Sequence, residues 1–313
     1  MKKIVYVTGC LGFIGYHVAK KCLDAGFYDY AVDKQTYASN VQFLPELLKY
    51  PQFRYSDCDI NDIERLVDCD YVINTAAETH VDNSIISNDV FLKSNINGVH
   101  HLLNLIQQKS RFNMPTLLHF STDEVYGDIE QGAHTEKDLL KPSNPYSATK
   151  AAADMLVLAW ARTYNIPYVI VRPTNNYGIG QYVEKLIPKS VKYLTIGRKI
   201  DLHDRGQPVR TWLHVSDTAE AVMAIIASGV KNEIFNISGN YEDQNINVVK
   251  QILWFYDGIK NHQDYVTDLV RPGQDVRYAI DDSKLKALGW SPKAQFDNEL
   301  KIIVDYYKNN FVW

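Results

Sequence analysis

At 313 residues the chain is long enough for one large α/β unit or two closely joined lobes with an ample core. A net charge of −4 and an isoelectric point near 6.1 give no reason to expect nucleic acid or a membrane as partner, and no stretch is apolar and long enough to span a bilayer. The four cysteines, Cys10, Cys22, Cys58 and Cys69, show no C-x-x-C pair and no zinc spacing, so no metal is expected and reduced cytoplasmic thiols are.

Met1-Lys2-Lys3 leads at once into a β-branched, apolar run at 3–8 that reads as a buried strand, with no signal peptide to expect. Gly9-Cys10-Leu11-Gly12-Phe13-Ile14-Gly15 follows, and then a helical pattern from His17 to Ala25. A strand, a glycine turn and a helix let backbone approach a pyrophosphate, with helix N–H groups aimed at it. The spacing is G-x-x-G-x-x-G, not the commoner G-x-G-x-x-G. The next strand runs from Tyr28 to Val32 and ends in Asp33, about 20 residues on, where an acid meets the adenosine ribose of a dinucleotide. A carboxylate there disfavours a 2′-phosphate, so NAD is expected over NADP; the adjacent Lys34 works against that preference.

Further strand-like runs at 53–56, 70–75, 116–121 and 167–172 alternate with helical stretches. That rhythm predicts βαβ units and a doubly wound, Rossmann-type parallel sheet with helices on both faces. Ligands in such sheets bind at the carboxyl ends of strands, just where Gly9, Asp33, Asp59, Ala76-Ala77 and Thr122 fall. After Arg172 the rhythm changes. Pro173 to Gly180 reads as a long loop. Helices near 184–195, 215–229, 246–257 and 294–309 and strands at 199–203 and 233–237 complete the chain. The expected division is an NAD-binding domain at 1–172 and a smaller mixed α/β substrate lobe at 173–313, partly folded back onto the sheet.

Ser121-Thr122-Asp123-Glu124-Val125-Tyr126-Gly127, followed by Tyr146-Ser147-Ala148-Thr149-Lys150, is where chemistry concentrates. Tyr146 and Lys150, four apart on a helix, share a face, so the ammonium is expected to favour the phenolate and lower its pKa. A redox step needs only that pair. Adjacent Asp123 and Glu124 take separate acid and base roles if their surroundings push their pKa values apart, which points to proton transfers of an elimination. His80 has no second metal ligand near it and, on its own surroundings, reads as structural.

These segments resemble the extended short-chain dehydrogenase/reductases, and within them the nucleotide-sugar 4,6-dehydratases, nearest the dTDP-glucose branch. Besides the glycine turn and the two catalytic segments, the resemblance covers Ala76-Ala77-Glu78, His80-Val81-Asp82, Asn175-Asn176-Tyr177-Gly178, Glu184 to Pro188, Val209-Arg210 and Arg271-Pro272-Gly273 with Arg277-Tyr278. It implies a lyase of deoxysugar biosynthesis with bound NAD. Thr122 would hold the sugar O4′, Tyr146 would take its proton, and Lys150 would lower the Tyr146 pKa and bind the nicotinamide ribose. Glu124 would remove the C5′ proton and Asp123 would protonate the departing O6′. Gly9, Gly12, Phe13, Ile14, Gly15, Asp33, Lys34, Asp59, Ile60, Ala76 and Ala77, with Tyr146 and Lys150, would hold NAD. His80, Asn175, Asn176, Glu184, Lys185, Arg210, Asn245 and Arg277 would hold the nucleoside-diphosphate hexose.

Departures from the family pattern are Cys10 for glycine, Val183 for proline, Thr211 for aspartate, Gln274 for histidine, and Leu202-His203-Asp204-Arg205-Gly206 for the usual Val-Tyr-Gly-Asp-Gly. They cluster towards the nucleotide, so UDP-glucose stands as an alternative to dTDP-glucose. A 4-epimerase or a decarboxylase uses Thr122, Tyr146 and Lys150 without needing Asp123 and Glu124, and a non-catalytic NAD sensor needs none of the five. Relatives pair the helices matching 92–108 and 147–163 across a two-fold axis, which implies a homodimer.

Overall fold

The structure, a computed structural model, describes residues 2–310. Twelve strands are found there: β1 (Ile4–Thr8), β2 (Tyr28–Asp33), β3 (Phe53–Asp57), β4 (Tyr71–Asn74), β5 (Thr116–Phe120), β6 (Tyr168–Pro173), β7 (Asn175–Tyr177), β8 (Ile200–His203), β9 (Val209–His214), β10 (Glu233–Ile237), β11 (Tyr241–Gln244) and β12 (Val266–Leu269). The helices are α1 (Phe13–Asp24), α2 (Phe43–Leu47), α3 (Val81–Ile86), α4 (Asp89–Phe91), α5 (Gly98–Gln107), α6 (Pro145–Tyr164), α7 (Leu186–Thr195), α8 (Val215–Ser228), α9 (Asn245–Asp257), α10 (Ser283–Lys286) and α11 (Phe296–Asn309).

Seven strands form one parallel sheet in the order β10-β6-β5-β4-β1-β2-β3. The chain order reverses beside β1 and β4, which opens a crevice at their carboxyl ends. One face of the sheet buries Val5, Val7, Leu118 and Val171 against α1 and α8, and the other buries Tyr6, Val72, Leu117 and Ile170 against α5 and α6. Side chains alternate between the faces because the strand period is two, so these central strands are apolar throughout. The α/β Rossmann-type expectation therefore holds, and the large-sheet strands lie within a residue or two of their expected bounds.

The remaining strands make two small sheets, β11-β9-β7 and β12-β8. Trp212 of β9, Tyr177 of β7 and Phe296 of α11 join Val191 and Ile252 in a separate core under α7, α9 and α11. The stretch Pro173–Gly180, expected as loop, contains β7. Asn175-Asn176-Tyr177 is short and asparagine-rich, so local propensity misses it; its strand form comes from pairing with Trp212, Leu213 and His214. The helix expected from residue 92 is also different: α4 runs through a π-helical segment at Leu92–Asn97 before α5 begins.

Candidate active site

Glycine is required at the turn after β1. Gly9 has φ of +75°, and a Cβ there would stand 2.8 Å from Ala76 backbone. A Cβ on Gly15 would lie 2.0 Å from the Gly9 carbonyl oxygen. The turn is thus folded flat against the start of α1, whose Gly12 N-cap offers no side-chain bond to the first-turn N–H groups. Those groups fit a diphosphate, and Gly9, Gly12, Phe13, Ile14 and Gly15 line a cleft with them. Cys10 faces away into the core, and burial pushes its thiol well up.

Asp33 ends β2 on the same cleft. Its carboxylate accepts from Leu11 N at 2.9 Å, Gln35 N at 2.8 Å and Ser39 Oγ at 2.8 Å, so it braces the glycine turn besides facing the crevice. Lys34, Ile60, Ala76 and Ala77 line the cleft too. Lys34 reaches Ser94 Oγ at 3.1 Å and Asp59 at 3.5 Å, so its ammonium is drawn towards an acid and not left to select a phosphate. Asp59 caps the following turn through Asn61 N. The donors, the glycine cradle and the acid at the end of β2 fit a dinucleotide without a 2′-phosphate.

At the end of β5 the chain turns through Thr122, Asp123 and Glu124, and α6 begins directly opposite. Asn144 starts that helix with a capping box: its side chain accepts from Ser147 N at 2.9 Å, and Ser147 Oγ accepts from Asn144 N at 3.3 Å. Tyr146, in the first turn, and Lys150, one turn on, are both buried. Thr122 Oγ1 donates to Asp123 Oδ1 at 3.2 Å, while Asp123 Oδ2 is buried without a hydrogen-bond partner. Glu124 Oε2 is met by Asn144 Nδ2 at 3.4 Å and by the Tyr278 hydroxyl at 3.5 Å.

Burial dominates the electrostatics here. It raises the Asp123 carboxyl to about 7, with the neighbouring Glu124 adding to the effect. Burial also raises Glu124, against which Arg210 pulls most strongly. The Asp123 carboxyl is thereby brought to its titration range near neutrality, and Glu124 is raised in the same direction. Tyr146 departs from expectation. Burial, followed by the Glu124 charge, raises its phenol, with Thr122 and not Lys150 opposing. The Lys150 ammonium is instead turned to the Phe120 carbonyl, at 2.5 Å, and burial lowers its own pKa to about 8.

A second cleft leaves the first at Glu124. Glu124, Asn175, Asn176, Glu184 and Lys185 line both. His80, Arg210 and Asn245 line the second, as do His203, Arg271 and Gln274. His80 also caps α3, accepting from Asn83 N at 3.3 Å, so both its readings have a basis. Lys185 Nζ sits 3.1 Å from Glu184 and donates to the Thr79 carbonyl at 3.0 Å. Asn176 is held by Thr218 and by its own contact to the Thr174 carbonyl at 3.0 Å. Arg210 lies over the Tyr278 ring at 4.3 Å and donates to the Asp275 carbonyl at 3.1 Å. Arg277 is not brought to the clefts: Glu242 holds its guanidinium at 3.1 and 3.2 Å, and the Gly132 carbonyl accepts from it at 2.9 Å.

Several groups at this site carry no local sequence signal as functional. Tyr278 and Asp275, hydrogen-bonded together, reach Glu124 from the far end of the chain. Asp82 accepts from Arg271 Nε at 2.6 Å and faces His203 Nε2 at 3.6 Å, which closes the second cleft across 189 residues of sequence. Asn95, in the π-helical segment, ties the Glu78 backbone to Thr149 of α6 at 2.9–3.0 Å. Only the Asn144 cap was recoverable locally, from Asn-Pro ahead of a helical run.

The GDP-mannose 4,6 dehydratase family profile matches residues 6–303. A low-salt glycan biosynthesis protein of Haloferax volcanii is 39% identical, with 97% of this chain and 98% of that protein covered. A dTDP-glucose 4,6-dehydratase of Haemophilus influenzae is 37% identical, with 98% of each chain covered. Among solved structures, the dTDP-glucose 4,6-dehydratase DesIV of Streptomyces venezuelae with NAD bound superposes with a TM-score of 0.92 at 34% identity, covering 98% of this chain and 97% of that one. A UDP-glucuronic acid 4-epimerase of Bacillus cereus shares the fold, with a TM-score of 0.90 at 23% identity and coverage of 97% and 99%.

Proposed function

The chain belongs to the GDP-mannose 4,6 dehydratase family, and from that premise we propose that it is an NAD-dependent lyase converting dTDP-glucose to its 4-keto-6-deoxy product. The observation that carries this reading is the meeting of two clefts at Glu124, beside Thr122, Asp123 and Tyr146. A 4-epimerase has no use for two acids raised by burial at that junction. NAD in the first cleft supplies a hydride acceptor for C4′ and, at the end, a hydride donor for C6′.

The chain's own groups move the protons. Thr122 holds O4′ and Tyr146, as its phenolate, takes the O4′ proton; burial raises that phenol, so the phenolate forms only when Lys150, one turn on, swings its ammonium from the Phe120 carbonyl towards it. The 4-ketone formed on the sugar acidifies C5′–H. Glu124 removes that proton, and Asp123, with a carboxyl near 7 and one oxygen free of partners, gives its proton to O6′ so that water leaves. Glu124 then returns a proton to C5′. Lys185, Arg210, Asn176 and Asn245, with Asn175, Glu184 and His80 around them, hold the nucleotide sugar in the second cleft. Arg277 enters this set only by leaving Glu242. In this reading residues 1–172 hold NAD and 173–313 hold the sugar nucleotide, although β10 lies on the edge of the large sheet.

The decisive experiment incubates the protein separately with dTDP-glucose and UDP-glucose and weighs the products by mass spectrometry. Loss of one water from either donor supports the dehydratase and names its base. No loss from either, with NAD bound, sinks the reading and brings the 4-epimerase forward.

The same reading makes the protein a homodimer. Along α6, Ala148, Met155 and Ala159 are exposed on one stripe with Ala152 between them, and Val90 and Leu92 are exposed nearby in sequence to α5. Small side chains let two such helices approach closely, and pairing α5 and α6 across a two-fold axis covers the stripe. A monomer by light scattering at micromolar concentration defeats this. The four cysteines are all free, which supports the cytoplasm as compartment. Among the described residues, no helix is long and apolar enough to cross a membrane.

A further inference from the structure

Beneath Tyr146, Lys150 is backed by a buried set of charges that the proton transfers above leave unused. Lys150 and Asp154 are four residues apart on α6, on one face, and both are buried. Asp154 is fixed from the neighbouring strand: Arg172 of β6 donates to its Oδ2 from Nε at 3.0 Å and from Nη2 at 2.9 Å. Arg172 Nη1 also donates to the Tyr126 hydroxyl at 2.7 Å, and that hydroxyl donates to Asn236 of β10 at 2.9 Å. On the other side, His119 Nε2 of β5 stands 3.9 Å from Asp154 Oδ1. The carboxylate is therefore clamped by Arg172 of β6, which Tyr126 and Asn236 of β10 brace from behind, and faced by His119 of β5.

A buried ammonium tends to shed its proton, because the interior penalises its charge more than that of the neutral amine. The groups facing Lys150 are few. The Phe120 carbonyl accepts from it, the Tyr146 phenol is neutral, and burial keeps the His119 imidazole uncharged, with the Lys150 and Arg172 cations adding to the effect. Asp154 is the anion acting on it. We propose that Asp154, clamped by Arg172, is a positioning residue that keeps Lys150 in its ammonium form beneath Tyr146. The consequence for turnover rests on the dehydratase reading; the consequence for the Lys150 proton does not.

The sign is fixed. Removing the anion lowers the Lys150 pKa, so the proton leaves at lower pH and the alkaline limb of activity moves towards neutrality. Isotope-labelled lysine in the NAD-bound protein gives the Nζ titration by NMR, with the Lys150 signal identified by its loss in Lys150→Met. Asp154→Asn strands Arg172 without a counter-charge and threatens the fold, so Asp154→Asn/Arg172→Gln, which removes both charges, is measured beside it. The expected result in either folded variant is a Lys150 midpoint lower by about one pH unit or more. The alkaline limb of kcat should move by the same amount while KM stays put. An unmoved midpoint in a folded variant, or a wild-type Lys150 already neutral at neutral pH, overturns the proposal. A wild type that makes no dehydrated product but shows the midpoint shift overturns the dehydratase reading and leaves the Asp154 assignment standing.

Discussion

The two clefts are built on different principles. Around Thr122, Asp123, Tyr146 and Lys150 every group is buried and mounted on a strand end or a capped helix. In the second cleft, Asp82, His203 and Arg271 come from three distant loops and element ends and are held to one another by ion pairs, each partly exposed. Burial moves pKa values by whole units in the first region. In the second, the partly exposed pairs act the other way: the His203 and Arg271 contacts hold the Asp82 carboxyl well below its usual range and keep it a carboxylate. The first region is suited to fix proton positions and the second to adapt to a ligand's base and diphosphate.

Substitutions can break or sharpen that contrast. The largest effect is expected for Tyr146→Phe, which should cost ~10⁴-fold in kcat with NAD still bound, measured as product mass against time. Glu124→Gln should cost ~10³-fold and abolish solvent-hydrogen incorporation at C5′, while oxidation at C4′ still reduces the cofactor. If both variants instead raised KM alone, the first cleft would be a binding surface and the contrast would fail.

Arg210→Ala tests whether the regions are independent. Loss of charged hydrogen bonds should raise KM ~10-fold or more with a smaller change in kcat. Arg210 also holds Glu124 down against burial, so its removal raises the Glu124 pKa. Since Glu124 must be ionised to act as base, the acidic limb of the pH profile should move to higher pH. An unmoved limb would show the two clefts to be electrostatically separate.

A smaller effect concerns stability. Asp123 is raised from 3.8 to about 7, so the folded state binds more protons than the unfolded state between those values and loses stability as pH climbs through them. Asp123→Asn should therefore melt higher than wild type at pH above about 7 and no higher below about pH 4, read by calorimetry across that range. Smallest of all is Cys10→Gly, whose turnover should match wild type within about twofold. The Cys10 thiol, pushed up by burial, should also resist alkylation while the protein is folded.

Much of the first region was legible in the sequence, because its spacing is local. Tyr146 and Lys150 lie one helical turn apart, the two acids are neighbours, and the glycines sit between an apolar strand and a periodic helix. Opposite ends of an ion pair 189 residues apart leave no such pattern, so the Asp82–Arg271 closure and the Tyr278 contact to Glu124 could not be read locally. Arg277 shows the reverse failure. A cation near a recognised segment reads as a diphosphate ligand, but Glu242 on β11 claims it, and only the sheet pairing places that acid there. The Tyr146 pKa went the same way: spacing places Lys150 on the right face but gives no measure of burial, which dominates the phenol.

The Asn144 side chain caps the first turn of α6 and also reaches Glu124. The start of a helix and the orientation of a proton acceptor therefore share one amide. Fraying of that single turn would release Tyr146 and Glu124 together, with the large sheet still intact. Gentle warming should thus silence the enzyme some degrees before it unfolds, and the Ser147 amide should begin exchanging with solvent at the temperature where activity fades.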